Sequence, residues 1–353
     1  MRKFEDTHKN RITPSVIIRR ADVPDHFQTS EVAGSFRDVL VASVVPLARS
    51  RDILYANRRG RISYSSFFRP FPWMLDKNFE WILASTPQML ALHEIDSFRG
   101  HSSPDLSPST LLRSDFDEPL LETLLARLNA RYEIPEPRWE DVALFRSLNM
   151  AYHASQFPGG TDATIHDFGR IIALWVSSFE ILAHPGPTGN SNLERVSSLL
   201  DKIPWVDTRC GHRRLNTTKQ TRKGPKIVRR NLASWNYSNL YDCRNKFLHG
   251  SPVKDVDLQI RDSRRLLNSI APPLYRLALT AFLPLIWEEE IPPIDDPELF
   301  GDFIARNSEF EAPQRDAEHA LKLSRISERQ QERLNETRIQ DARARNEQIR
   351  NNT

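Results

Sequence analysis

The sequence predicts a mainly α protein: an antiparallel helical bundle, preceded by a smaller mixed α/β domain and followed by a charged tail that is helical or disordered. Three observations carry this expectation. Ile172, Trp175, Val176, Phe179, Leu182 and Ala183 recur at the spacing of one helix face. The first 137 residues instead mix short β-prone runs with proline and aromatic clusters. Residues 313–353 contain no Phe, Trp or Tyr, and Arg alternates with Glu through Arg325, Glu328, Arg329, Glu332, Arg333, Glu336 and Arg338. The expected domains are 1–137, 138–292 and 293–353.

Taken in order, Ile53-Leu54-Tyr55 and Ile62-Ser63-Tyr64 flank the polar run 56–61 and read as a strand, a turn and a returning strand. The aromatic and proline cluster at 67–73 is too broken for regular structure, and 102–109 is a Ser/Pro loop. Residues 119–132 have helical spacing, with Leu120, Leu124, Leu125 and Leu128 on one side, and Pro135 and Pro137 mark a boundary after them. The Ile172 helix ends before His184-Pro185-Gly186-Pro187, and shorter helices follow at 192–200 and 237–249. Residues 256–282 supply one or two more, with a break at Pro272-Pro273. The segment 269–287 comes nearest to a membrane span. Pro272, Pro273, Arg276 and Pro284 interrupt it, so it reads as a buried core helix. No apolar stretch follows Met1-Arg2-Lys3, which leaves no secretory signal and an expected cytoplasmic location.

At 353 residues the net charge is +3, too small to select a partner, so local charge has to carry that argument. Cys210 and Cys243 are the two cysteines, too few for a disulfide framework. With His212 and His249 they make an imaginable zinc set. Neither cysteine belongs to a CxxC pair, and two free thiols are the simpler reading, with no metal and no cofactor expected. Phosphate-loop, dinucleotide, zinc-protease and nucleophile-elbow motifs do not occur. His166 with Asp167, and Asp115 with Asp117, read as surface or cap residues.

The chemically informative segment is 240–250. On a helix, Tyr237, Leu240, Tyr241, Arg244, Phe247 and Leu248 share one apolar face. Arg244 therefore lies in a buried stripe, cannot be neutralised there, and needs an anion. Glu180, at the edge of the Trp175–Phe179 stripe, is the internal candidate. Asn245 and His249 are i,i+4 neighbours, and Gly250-Ser251-Pro252 stops the helix just beyond them. A cationic fork, an amide and an imidazole near one helix end suit phosphodiester chemistry.

Arg244-Asn245-Lys246-Phe247-Leu248-His249 resembles the R-polar-x-x-x-H motif of HEPN domains, and the glycine after it resembles the Apea-like branch of that superfamily. The helix 168–182 with Glu180 resembles that branch's first core helix, so the likeness covers roughly 141–285. The resemblance implies a HEPN-like bundle and metal-independent endoribonuclease activity in a defence or toxin context. It also implies Arg244, Asn245 and His249 as catalytic residues, Glu180 as the structural partner of the motif, and a homodimer that builds one site from two copies. A non-catalytic nucleic-acid- or partner-binding regulator on the same scaffold is the alternative.

Between Asp207 and Asp242 there is no acidic residue. The insertion 208–231 carries Arg209, Arg213, Arg214, Lys219, Arg222, Lys223, Lys226, Arg229 and Arg230, and reads as a loop that tracks RNA phosphates. The bland counterpart is a solvated loop without a ligand. A second patch places Arg49, Arg51, Arg58, Arg59, Arg61 and Arg69 among Tyr55, Tyr64, Phe67, Phe68 and Trp73. Aromatics beside prolines are more ordinarily a small core than a single-strand platform.

Overall fold

The computed structural model describes residues 29–55, 62–68, 111–157 without Pro135, 164–323 without Pro187, Arg222, Lys223, Asp262 and Arg264, and Arg325, with short pieces at 4–5, 11–12, 24, 27, 73–75 and 82–84. The expected turn at 56–61, the loop at 102–109, Arg69 and the tail from 326 onward lie outside the described residues.

Two short antiparallel ribbons, β1 (Phe4–Glu5) with β2 (Arg11–Ile12) and β3 (Trp73–Leu75) with β4 (Ile82–Ala84), belong to the N-terminal part. The rest is mainly helical. α1 (Ser30–Leu54) starts at Thr29, whose side chain accepts a hydrogen bond from the Val32 N–H. It overturns the expected strand pair: Ile53 and Leu54 end this helix, and Ile62 and Ser63 lead into a 3-10 turn, Ser65–Phe68. The reason is burial. Val39, Val41, Ala42, Val44, Val45 and Leu47 are buried almost all round the helix, so β-branched residues are kept helical by their surroundings.

α2 (Glu118–Glu133) is capped by Asp117 and buries Leu120, Leu124 and Leu128, the face its spacing predicts. α3 (Trp139–Ala154) and α4 (Ile165–Leu182) follow. Asp167 completes a capping box with Thr164 at the start of α4, accepting from the Thr164 N–H at 2.9 Å. α5 (Leu193–Leu200) is capped by Asn192, and a single turn, α6 (Thr208–Gly211), by Asp207. Next come β5 (Leu215–Thr221) and β6 (Gly224–Arg230), then α7 (Leu232–Leu248), α8 (Leu267–Phe282) and α9 (Pro297–Leu323).

α8 lies at the centre, against α1, α4, α7 and α9, and residues 270–281 along it are all buried. Pro272 and Pro273 do not break it, contrary to expectation. Both rings are buried among its neighbours, and helix packing outweighs the two lost N–H donors. Arg276, buried in α8, donates to the Asp117 carboxylate at 2.8 Å and also to Thr280 and Gln314. That network ties the start of α2 to α8 and α9.

One apolar cluster runs from Val39 of α1 to Leu321 of α9, so the core ignores the expected boundaries at 137 and 292. Pro313, Ala317, Ala320 and Leu321 turn one side of α9 inward, where a solvated tail is expected from the charge pattern. Among the described residues no helix is long and apolar enough to cross a membrane.

Candidate functional site

α4 and α7 run side by side, and Gly169 sets how closely. A Cβ at Gly169 would lie 2.4 Å from Cδ1 and 2.7 Å from Cγ of Phe247, so only glycine admits that ring. Further along, aromatic rings stack from the core toward the α7 C-terminus. Trp175 meets Tyr275 at 5.6 Å, Tyr275 meets Phe179 at 5.4 Å, Phe179 meets Tyr237 at 5.1 Å, and Tyr237 meets Tyr241 at 6.2 Å. The chain of rings ends at Arg244, whose guanidinium lies 5.0 Å over Tyr241.

Arg244 Nη2 donates to Glu180 Oε2 at 2.7 Å, with the two side chains 16% and 21% exposed. Burial pushes the Glu180 carboxyl above its ordinary value, and the Arg244 charge pulls it part of the way back. Arg244 Nη1 donates to Asn245 Oδ1 at 3.0 Å. Of five guanidinium N–H groups, two are thus engaged and three remain. Beneath the pair, the Tyr237 hydroxyl is fully buried with no hydrogen-bond partner among the described residues, and burial and the Glu180 charge hold its ionisation far up.

His249 is the C-cap of α7. Its N–H donates to the Asn245 carbonyl at 3.0 Å, Gly250 takes φ +69°, and the Ser251 N–H closes back on the Lys246 carbonyl at 3.0 Å. This is a Schellman stop, and Gly250 occupies its left-handed position. The imidazole is exposed and makes no side-chain hydrogen bond or ion pair with another described residue. Two details depart from the sequence reading. Asn245 turns its side-chain oxygen to Arg244 and not to His249. Leu248, placed by periodicity on the buried face, is 62% exposed, although Phe247 beside it packs against α4.

The basic insertion is not a loop. β5 and β6 pair antiparallel from Leu215↔Arg230 to Thr221↔Gly224. β5 is polar after Leu215, and the apolar residues of β6, Ile227 and Val228, are adjacent, so the alternation that marks a half-buried strand is missing from the sequence. Its cations also divide. Arg230 is buried and makes a two-pronged pair with Glu194 of α5, at 2.7 and 3.0 Å, so it is a structural residue rather than an RNA contact. Arg209 pairs with Asp207 in the same two-pronged way, and Arg213 pairs with Asp201 at 2.5 Å. Arg214, Lys226 and Arg229 are exposed and unpaired among the described residues. Lys219 is placed by its backbone in β5, and Arg222 and Lys223 lie outside the described residues.

The acids that hold this region, Glu194, Asp201 and Glu318, are missed by sequence reasoning, because each sits far along the chain from its partner. Glu318, buried in α9, accepts the Val206 and Asp207 N–H groups at 2.8 and 2.9 Å. Arg49 and Arg51 of the second patch are also engaged, with Tyr64 and Asp316 respectively.

Cys210 and Cys243 are buried, and burial pushes their thiols up to about 11 and about 12, too high for thiolate chemistry at neutral pH. Among the described residues no group of three or more His, Cys, Asp or Glu is placed to hold a metal ion. No protein-family model, no curated protein and no solved structure matches the chain.

Proposed function

We propose that the C-terminal end of α7 is a HEPN-type ribonuclease site that cuts RNA without a metal ion. One observation carries the reading. Arg244 is fixed from both sides by Glu180 and Asn245 with three N–H groups to spare, on the same helix end as the unengaged imidazole of His249. In the reaction, a ribose 2′-OH attacks its own phosphodiester. His249 takes the 2′-OH proton and delivers it to the departing 5′ oxygen, while Arg244 bears the charge of the crowded phosphorane. The products are a 2′,3′-cyclic phosphate and a 5′-OH.

The same geometry favours a homodimer. Five helical positions separate Arg244 from His249, so their side chains leave α7 about 140° apart around its axis and ~7.5 Å apart along it. Two α7 ends brought together close on one phosphate better than a single end does.

A non-catalytic regulator is the second reading, favoured by the Asn245 amide facing Arg244 and leaving His249 with nothing to orient it. The test is total RNA incubated in EDTA with wild type and with His249→Ala. On the nuclease reading, wild type releases fragments with 2′,3′-cyclic phosphate ends and the variant releases none, while keeping its fold and RNA affinity. Cleavage surviving in His249→Ala sinks the mechanism. Binding by both proteins with cleavage by neither selects the regulator.

A further inference from the structure

We propose that the ribbon formed by β5 and β6 is a binding element for duplex DNA and lies in the major groove. This replaces the RNA-contact role that the sequence suggests for the insertion, and it does not rest on the nuclease reading.

The ribbon is held rigidly at its root. Arg230 grips Glu194, Arg213 grips Asp201, Leu215 borders the core, and Asn231 caps α7 while donating to Asp201 and the Leu200 carbonyl. Beyond the root one face is open to solvent. In the register Asn216↔Arg229 and Thr218↔Ile227, all four residues are exposed, with Ile227 at 68%. Arg, Asn and Thr supply hydrogen-bonding groups for base edges, and an exposed Ile suits a thymine methyl.

The register also sets Lys219 opposite Lys226, neither with an acid nearby in sequence. Arg229 lies on the open face and Lys226 on the opposite one, so exposed cations without a nearby acid occur on both sides of the ribbon, which suits contact with phosphates on either wall of a groove.

The form of the ribbon distinguishes among nucleic acids. Two strands ~4.8 Å apart, with their side chains, fit a groove about 12 Å wide. The major groove of duplex RNA is too deep and narrow to be read that way. Single strands are held by stacking on aromatic rings, and no Phe, Trp or Tyr occurs between Trp205 and Trp235.

The test is fluorescence anisotropy with the full chain across a series of salt concentrations. The probes are duplex DNA of about 20 base pairs, two helical turns, the matching duplex RNA, and a single strand of 2′-O-methyl RNA that cannot undergo 2′-OH attack. Wild type should bind duplex DNA at least tenfold more tightly than either RNA. In Arg214→Ser/Lys226→Ser/Arg229→Ser, the slope of log affinity against log salt should fall by about two to three. Arg146→Ser, an exposed cation on α3, should leave that slope unchanged. The three ribbon side chains are exposed and unpaired, so the variant should keep the wild-type melting temperature. Equal or tighter binding of wild type to either RNA, no binding to duplex DNA, or an unaltered slope in the triple variant would overturn the proposal.

Discussion

Glu180 carries opposing influences that a pH series can separate. Burial raises its carboxyl above the ordinary value of 4.5, and Arg244 opposes the shift without cancelling it. The folded protein therefore holds that proton more tightly than the unfolded chain does. Stability from this group is present below 4.5 and is lost as pH rises through the raised value. Glu180→Gln removes the titration. Urea denaturation of both proteins from acid to neutral pH should show the difference moving in the variant's favour as pH rises. Movement in favour of wild type would mean that attraction to Arg244 outweighs burial. The need for this pair is legible in the sequence, since an arginine on an apolar face demands an anion and Glu180 borders the facing stripe. The Asn245–Arg244 hydrogen bond is not legible, because the amide can turn to either neighbour and periodicity does not say which. Nor is the burial of Arg230, whose sequence surroundings are those of its exposed neighbours.

At the scale of elements, legibility follows amphipathicity. α2, α4, α5 and the latter part of α7 each bury one face and expose another, and their spacing announces them. α1 is buried almost all round through its middle, so no one-sided stripe announces it, and the ribbon has so little buried surface that it passes for a loop. How closely two helices approach is also outside periodicity. The contact between α4 and α7 depends on Gly169 receiving the Phe247 ring, and the atoms in the way of a Cβ include the ring's root, Cγ, and not only its far edge. Gly169→Ala should therefore cost roughly 1–3 kcal/mol, as overpacking does, despite the better helix propensity of alanine. Urea or thermal denaturation measures it. A more stable variant would mean that Phe247 can swing clear, and that the separation between Glu180 and Arg244 does not depend on this contact.

For the whole molecule, the decisive feature is that α9 belongs to the core and holds the segment that leads into α6. Glu318 accepts the N–H groups of Val206 and Asp207, the Gln314 amide donates to Glu318 at 3.0 Å, Lys322 pairs with Asp207, and Arg325 lies over Trp235 at the start of α7. The charge alternation of residues 313–353 hides this, because a buried carboxylate and an exposed one look alike in sequence. If α9 were a separable tail, Glu318→Ala would raise hydrogen exchange at Val206 and Asp207 and leave the rest as it was. With one continuous core, two N–H groups lose a charged acceptor inside the fold, which should cost roughly 1–3 kcal/mol. The loss should reach beyond the point of contact, since Trp235, in the first turn of α7, lies under Arg325 just past the end of α9. Hydrogen exchange of the full chain should then show protection falling along the first turns of α7 as well as at residues 206–207, together with a lower melting temperature. Unchanged protection in α7 would separate α9 from the bundle that carries Arg244 and His249 and restore the boundary near 292.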